Sequence, residues 1–167
     1  MAFKIDSKID MSGLDKIMKN MERLTERSVE VGYYDDDPHE GSDVSMGTLV
    51  NWLENGTRSR SGEEGAYHIP PRRFVEQGSS IWVDGIEKES AQVVARALQG
   101  RESQVNTLLD KIGEEGKESI QASMDMQNFK ALAPTTVKLK KAKGSRYATT
   151  QLIDTGELYE GIKIKVK

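Results

Sequence analysis

The two histidines of the chain, His39 and His68, are of the residue type most often used for proton transfer and metal binding near neutral pH. His39 lies among the acids 35–37 and Glu40, and carboxylates with an imidazole could hold a hard metal ion for hydrolysis. This run contains Pro38 and lacks any ligand-spacing motif, so no rigid frame would make the ligands converge. We therefore expect a solvated acidic turn, with no metal site and no cofactor.

No constellation for nucleophilic catalysis or phosphate binding occurs in the sequence. The chain has no cysteine, which excludes disulfides, thiolate metal sites and a cysteine nucleophile. There is no Gly-x-Ser-x-Gly motif, and Gly41, Gly47 and Gly56 do not have the spacing of a phosphate-binding loop. The sequence therefore indicates a binding or structural protein without catalytic residues, and not an enzyme.

Residues 49–57 have the pattern of an amphipathic helix that ends at a glycine. Gly56 would stop this helix, and the Thr57 hydroxyl could bond to the loop that follows. Glu54 lies near the helix C-terminus, where a negative charge opposes the helix dipole. We therefore expect a partner for its carboxylate, such as a basic residue of this chain or of a neighbour.

The segment Ile69-Pro70-Pro71-Arg72-Arg73-Phe74 must begin extended, because each proline restricts the residue before it. It would bring two guanidinium groups and one aromatic ring to a fixed place, and a guanidinium suits bidentate pairing with carboxylate or phosphate. Two interpretations are open. The segment is an anchor against a partner subunit or nucleic acid, or it is a loop whose Phe74 fills the core while both arginines are solvated.

A third motif lies at residues 151–158. Asp154 could cap a short helical turn there, with Glu157 three residues later completing a pair that resembles a capping box. Four residues are expected to have structural roles in this motif: Asp154, Thr155, Gly156 and Leu158.

The elements that must position these motifs follow from the hydrophobic periodicity. Helical spacing predicts helices over about 12–26, 44–55, 79–99 and 102–126. Alternating apolar residues predict short strands over 3–6, 28–34 and 162–166. Residues 57–68 are predicted to be a flexible loop. Residues 129–150 are predicted to be a basic loop. Pro134 is expected to end the helical half of the chain, with residues 135–150 forming a loop or a short helix.

These elements predict an α+β fold, in which a small antiparallel sheet of three strands packs against about four helices joined by long mobile loops. No internal repeat or composition break divides the chain, so residues 1–167 are expected to form a single domain, with 1–10 as an N-terminal arm or strand. With 167 residues, 36% of them hydrophobic and 6% aromatic, the chain can bury a modest core.

Charge is segregated along the chain. Residues 35–66 carry eight acids and two bases, whereas residues 129–167 carry nine bases and three acids. Such a dipolar chain could associate head to tail with copies of itself. No apolar run approaches the roughly 20 residues of a membrane helix, and the N-terminus lacks the apolar stretch of a signal peptide. A membrane or secreted protein is therefore not expected.

In their order and spacing, the motifs resemble the tail-completion or head–tail joining proteins of tailed bacteriophages, the minor-tail-protein Z-like family. The resemblance lies in a strand Val-Glu-Val-Gly-Tyr-Tyr, a helix ending Leu-Glu-x-Gly-Thr, an Ile-Pro-Pro-Arg-x-Phe segment, two long helices, and Leu-Ile-Asp-Thr-Gly-x-Leu before a lysine-rich strand. It covers roughly residues 28–166. Asn55 stands where the family usually has an aromatic residue, Arg73 stands where it usually has a proline, and the loop 57–68 is long and polar.

The resemblance implies a structural virion protein that forms a ring, usually a hexamer, at the top of the tail. Such a homo-oligomer would be assembled in the host bacterial cytoplasm and would bridge the tail terminator and the head connector in the phage neck. DNA would pass through its lumen without specific binding. The motif residues carried over are Glu54, Gly56 and Thr57; Pro70, Pro71, Arg72 and Phe74; and Asp154, Thr155, Gly156 and Leu158.

The charge pattern extends this expectation to the interfaces. An acidic segment, 35–43 or 61–64, would face the lumen, because a DNA channel works best when it does not grip phosphates. The basic run 138–146 would face an acidic neighbouring protein. The residues predicted to contact partners are Glu54, Arg72, Arg73, Phe74, Lys138, Lys140, Lys141 and Lys143.

Three alternative functions stay open at this point. The protein could be a tail terminator or head-closure protein of the same neck. It could be a nucleic-acid-binding protein that uses Arg72, Arg73 and the basic run 138–146, although the net charge of -3 argues against this class. It could also be a metal-dependent hydrolase built around residues 35–40.

Overall fold

A computed structural model of the protein describes residues 11–35, 38–39, 43–58 and 67–167. Within these ranges the chain forms seven helices and four short strands, and the predicted α+β fold is confirmed. In chain order the elements are α1 (Ser12–Thr25), β1 (Val29–Gly32), α2 (Met46–Asn55), β2 (Thr57–Arg58), β3 (Tyr67–Ile69), α3 (Phe74–Gly85), α4 (Glu87–Leu98), α5 (Glu102–Asp125), α6 (Pro134–Ala142), α7 (Glu157–Glu160) and β4 (Lys163–Val166).

The longest helix, α5, is central to the packing because it contacts α3, α4, β1 and β4. Glycines make the close approaches possible. A Cβ atom at Gly113 would lie 2.5 Å from the Ile164 side chain on β4. A Cβ atom at Gly78 on α3 would lie 2.5 Å from the Cα atom of Ile120 on α5. The two helices therefore touch through backbone, as small residues permit.

Two apolar clusters form the core, and α5 contributes to both. The first cluster joins α2, α3, α5 and the C-terminal region through Met46, Val50, Phe74, Ile120, Met124, Leu158 and Ile162. The second joins α4 to the first half of α5 through Val93, Ala97, Val105, Leu109 and Ile112. Each cluster buries the periodic apolar face of its helices, which is the main source of helix stability in a folded protein.

The strands form two separate antiparallel pairs, β1 with β4 and β2 with β3. In the first pair Val31 is opposite Ile164 and Gly32 is opposite Lys163. The segments predicted as strands at 28–34 and 162–166 thus pair with each other, as strands of four residues each. The predicted third strand at 3–6 and the arm 1–10 lie outside the described residues. The predicted loop 57–68 is wrong at its two ends, which pair as β2 and β3, and its middle, 59–66, lies outside the described residues.

The prediction of one long helix over 79–99 is wrong. Two helices, α3 and α4, occupy this region and meet at Ile86, whose backbone N–H bonds to Trp82 O and whose side chain packs on the second apolar cluster. The prediction that Pro134 ends the helical half is also wrong. Pro134 instead begins α6, at the helix start where its missing N–H costs nothing, so the basic segment 129–150 contains a helix of nine residues.

Candidate functional site

The first two sequence motifs form one structural unit at the end of α2. Leu53 O accepts a hydrogen bond from Arg72 N at 2.7 Å, and Thr57 Oγ1 accepts one from Ile69 N at 3.2 Å. β2 and β3 pair beside these contacts, with Thr57 opposite Ile69. The helix end and the Pro-Pro-Arg segment therefore hold each other in place, although they lie far apart in sequence.

Glu54 has a partner for its carboxylate, as expected, and in the described part of the chain this partner is the N-terminus of α3 and not a basic side chain. Its carboxylate accepts hydrogen bonds from the backbone N–H groups of Val75 and Glu76, the second of these at 3.3 Å. A carboxylate at a helix N-terminus satisfies free N–H groups and complements the dipole. Burial nevertheless raises the pKa of Glu54 above its ordinary value, and the two backbone hydrogen bonds only partly oppose this shift.

Phe74 belongs to the core, as the second interpretation of the segment 69–74 predicted. Its side chain is fully buried, with the ring edge-on to Tyr33 at 6.2 Å between centroids. The Tyr33 hydroxyl donates to Leu158 O at 2.6 Å, which ties the third motif to the same cluster. Burial raises the pKa of Tyr33, and the charge of Glu54 adds to the shift.

The two adjacent arginines have different surroundings. Arg73 is exposed and pairs with Glu76, with 3.0 Å between Nη1 and Oε2. Arg72 is only 7% exposed. The interpretation in which both arginines are solvated is therefore wrong for Arg72, and Phe74 does not lie on the surface where a docking contact would need it.

In the third motif Thr155, and not Asp154, caps the turn. Thr155 Oγ1 accepts a hydrogen bond from Glu157 N at 3.3 Å, and Gly156 precedes α7 in a left-handed conformation with φ of 98°. The capping role predicted for Asp154 is wrong, because its carboxylate instead lies 3.8 Å from Lys140 Nζ. Leu158 is buried in the first apolar cluster.

Lys140 points inward, unlike the other lysines of the predicted basic surface. Its ammonium group donates to Thr150 O at 2.9 Å and Ile153 O at 2.6 Å. Burial lowers its pKa, the nearby charge of Arg72 adds to the shift, and Asp154 opposes it. The hydrogen bonds of Lys140 thus hold residues 150–153 in place within the chain. This buried position does not fit its predicted contact with a partner. Three lysines remain exposed on this side: Lys138, Lys141 and Lys143.

The three motifs surround a groove of about 410 Å³ between α2, α6, α7 and the segment 150–156. Its walls are mainly aliphatic and include Met46, Leu49, Leu53, Leu132, Leu139, Leu152, Ile153 and Leu158. Arg72 lines the groove, and its Nε is buried without a hydrogen-bond partner. The groove is the candidate functional site because it combines an apolar lining with a buried guanidinium.

The predicted acidic turn is only partly described. His39 Nδ1 lies 2.8 Å from Glu157 Oε2, which connects this turn to α7 at the edge of the groove. Asp36, Asp37 and Glu40, together with residues 61–64, lie outside the described residues. In the described part of the chain, no three side chains of His, Asp or Glu converge as a metal site would require.

Comparison of the chain with known protein families, curated proteins and solved structures finds no match. Within the described ranges, no helix combines the length and the apolar character needed to cross a membrane.

Sequence reasoning found the three motifs but missed the groove that they enclose. The aliphatic wall residues Leu49 and Leu53 looked like an ordinary core face of α2. Leu139 offered a clearer signal, because it is a large apolar residue within a basic run. No local pattern distinguishes Lys140 from its exposed neighbours, since its inward orientation depends on carbonyl groups ten and more residues away.

Proposed function

We propose that the protein is a structural component of a bacteriophage neck, where a ring of copies joins the tail to the head around a channel for DNA. One observation carries the proposal: the three motifs of the family resemblance come together at one site. Leu53 binds Arg72, Glu54 caps α3, and Tyr33 connects the Phe74 cluster to Leu158. Motifs that depend on one another in this way are better explained by a shared architecture than by coincidence.

The surface of α1 supports assembly with other chains. Four of its apolar side chains, Met11 at its N-cap and Leu14, Ile17 and Met18 within it, are each more than two-fifths exposed. A contiguous exposed apolar stripe of this kind indicates a surface that is covered in an assembly. We assign this surface to contact between neighbouring copies in the ring, because a ring needs a heterologous contact on each subunit.

The exposed lysines of α6 support the second contact. Lys138 and Lys141 project from this helix, and Lys143 follows it. They form a basic surface beside the groove that suits an acidic partner, such as the head connector or the tail terminator. The virion location, the hexameric ring and passage of DNA through the lumen are parts of this proposal.

The test is electron microscopy of lysates from a phage in which this gene is deleted. We expect full heads and finished tails that lie unjoined, and joining should return when the wild-type gene is supplied in trans. Tails of irregular length would assign the protein to tail termination instead. Normal infectious particles from the deletion would contradict any role in the neck.

A further inference from the structure

Among the residues that the structure describes, the guanidinium of Arg72 is a buried charge without a counter-charge. Its side chain is more than nine-tenths buried, and its Nε has no hydrogen-bond partner. In the described ranges, no carboxylate lies within ion-pair distance of this group. A buried, unpaired charge costs several kcal/mol in general, and a bound counter-charge would offset part of that cost.

Among the other charged side chains of the lining, Lys140, Asp154 and Glu157 have partners, whereas Lys143 is exposed to solvent. Lys140 binds two carbonyl oxygens and lies near Asp154, while Glu157 is paired with His39. Counted over its Asp, Glu, Lys and Arg residues, the lining carries positive charges from Arg72, Lys140 and Lys143 against the negative charges of Asp154 and Glu157, which leaves an excess of one positive charge. A monoanion would balance it. A phosphate dianion would bring one negative charge more than the lining balances.

The walls of the groove determine what kind of molecule could carry this negative charge. Aliphatic side chains from α2, α6 and the segment 150–156 line the same groove as Arg72, so a ligand that fills the groove needs apolar groups beside its charge. The site is an open groove and not an enclosed cavity, which lets a chain enter and leave at its ends. The ligand therefore needs a single negative charge, apolar groups beside that charge and an extended shape. An acidic side chain flanked by aliphatic residues in an extended peptide has all three.

We propose that this groove binds such a peptide segment of a partner protein, with the carboxylate of a Glu or Asp side chain paired to Arg72. A guanidinium forms two parallel hydrogen bonds with a carboxylate, which gives the contact both strength and a fixed orientation. The neighbouring aliphatic side chains of the peptide fill the space between Leu53 and Leu139. The proposal concerns the chemistry of the groove and does not depend on the role in the phage neck.

The test titrates the full-length chain with short capped peptides in which a central Glu is flanked by Leu, Ile or Val. Matched peptides carry Gln at the centre. We expect at least one Glu peptide to bind in isothermal titration calorimetry, and its Gln counterpart to bind at least about tenfold more weakly, since the charge-assisted pair is lost. Failure of every Glu peptide to bind, or equal binding of the Glu and Gln forms, would overturn the proposal.

Variants assign the binding to the groove. Arg72→Met keeps the aliphatic stem, and we expect it to remove the preference for Glu over Gln while the free chain becomes no less stable. Arg101→Met makes the same charge change at an exposed position outside the groove, and we expect wild-type binding. A preference that survives in Arg72→Met would contradict the assignment.

Two further measurements address the possibility that Arg72→Met fails to fold and the alternative ligands. Leu139→Asp places a negative charge at an exposed position of the groove wall, so it tests the site without changing the core. We expect Leu139→Asp to weaken binding of the Glu peptide by at least about tenfold and binding of the Gln peptide much less. Hexanoate or inorganic phosphate that displaces the Glu peptide at equal concentration would overturn the peptide assignment in favour of a small anion.

Discussion

Glu54 lies in the last turn of α2, where its negative charge opposes the dipole of its own helix. The same carboxylate accepts hydrogen bonds from the first turn of α3. One residue thus links the two motifs that line the groove, and the N-terminus of α3 depends on a side chain twenty residues earlier. No side chain at the N-cap position, Arg73, caps this helix.

Replacement of Glu54 should separate its role as an acceptor from its role as a charge. We expect Glu54→Ala to lower the free energy of unfolding by about 1 kcal/mol, because α3 loses its cap. Glu54→Gln keeps an acceptor oxygen and should lose less. Chemical denaturation at neutral pH measures both, with Glu114→Ala on the exposed face of α5 as the control. An equal loss in the Ala and control variants would contradict the capping role.

The same carboxyl group predicts a dependence of stability on pH. Because burial raises the pKa of Glu54 in the folded state, the folded protein binds this proton more readily than the unfolded chain does. The resulting stabilisation is complete below the ordinary carboxyl pKa and is lost as the pH rises through the raised value. We expect the stability of the wild type relative to Glu54→Gln to fall over that range, and a constant difference would argue against the shift.

Among the elements, the contact of α3 with α5 determines where the groove can form. Phe74 at the start of α3 enters the same cluster as Ile120 and Met124 of α5. Ser123, also buried, donates its hydroxyl proton to the carbonyl oxygen of Phe74 or of Ile120, at 2.6 and 2.7 Å. This close packing holds the start of α3 in place. It thereby positions Arg72, which lies two residues before α3 and lines the groove.

Gly78 is the position at which this packing can be tested. An added Cβ would lie 2.5 Å from the backbone of Ile120, so relief requires the two helices to separate. We expect Gly78→Ala to lower the free energy of unfolding by about 1–3 kcal/mol. Gly85 ends the same helix with nothing within 4 Å of an added Cβ, and Gly85→Ala should be neutral or slightly stabilising. Thermal unfolding followed by circular dichroism compares the two, and equal losses would contradict the close contact.

At the scale of the whole molecule, the exposed apolar stripe of α1 and the basic surface beside the groove suit contacts with two different partners. α1 packs on α4, whereas the groove lies among α2, α6 and α7. Separate surfaces of this kind would let one subunit contact its neighbours in a ring and a different protein above or below it.

A substitution on α1 should damage assembly without damaging the fold. Met18 is 54% exposed, so we expect Met18→Gln to change the free energy of unfolding by less than about 0.5 kcal/mol. In trans, the variant should restore fewer infectious particles to the gene-deleted phage than the wild type does. Lys19→Gln, an exposed neighbour, is the matched control and should restore them fully. Full restoration by Met18→Gln would remove α1 from the proposed subunit contact.

Several elements were predictable because their signals are local. The apolar periodicity of α1, α2 and α5 gave their bounds to within two residues, and alternation identified the strand segments that pair as β1 and β4. The fold class follows from these elements alone. The break at Ile86 and the start of α6 at Pro134 were not predicted, because each is decided by packing or by the position of one residue within a turn.

By itself, the sequence determined the α+β class, the segregation of charge and the three motifs, since composition and short-range spacing contain that information. Only the tertiary structure decided what the motif residues do. Glu54 caps the helix that follows a loop, Lys140 turns inward to carbonyl oxygens, and Arg72 is buried with no counter-charge in the described ranges. These roles depend on groups that lie far away in the chain, and the electrostatic cost of a buried charge is set by the surroundings that folding assembles.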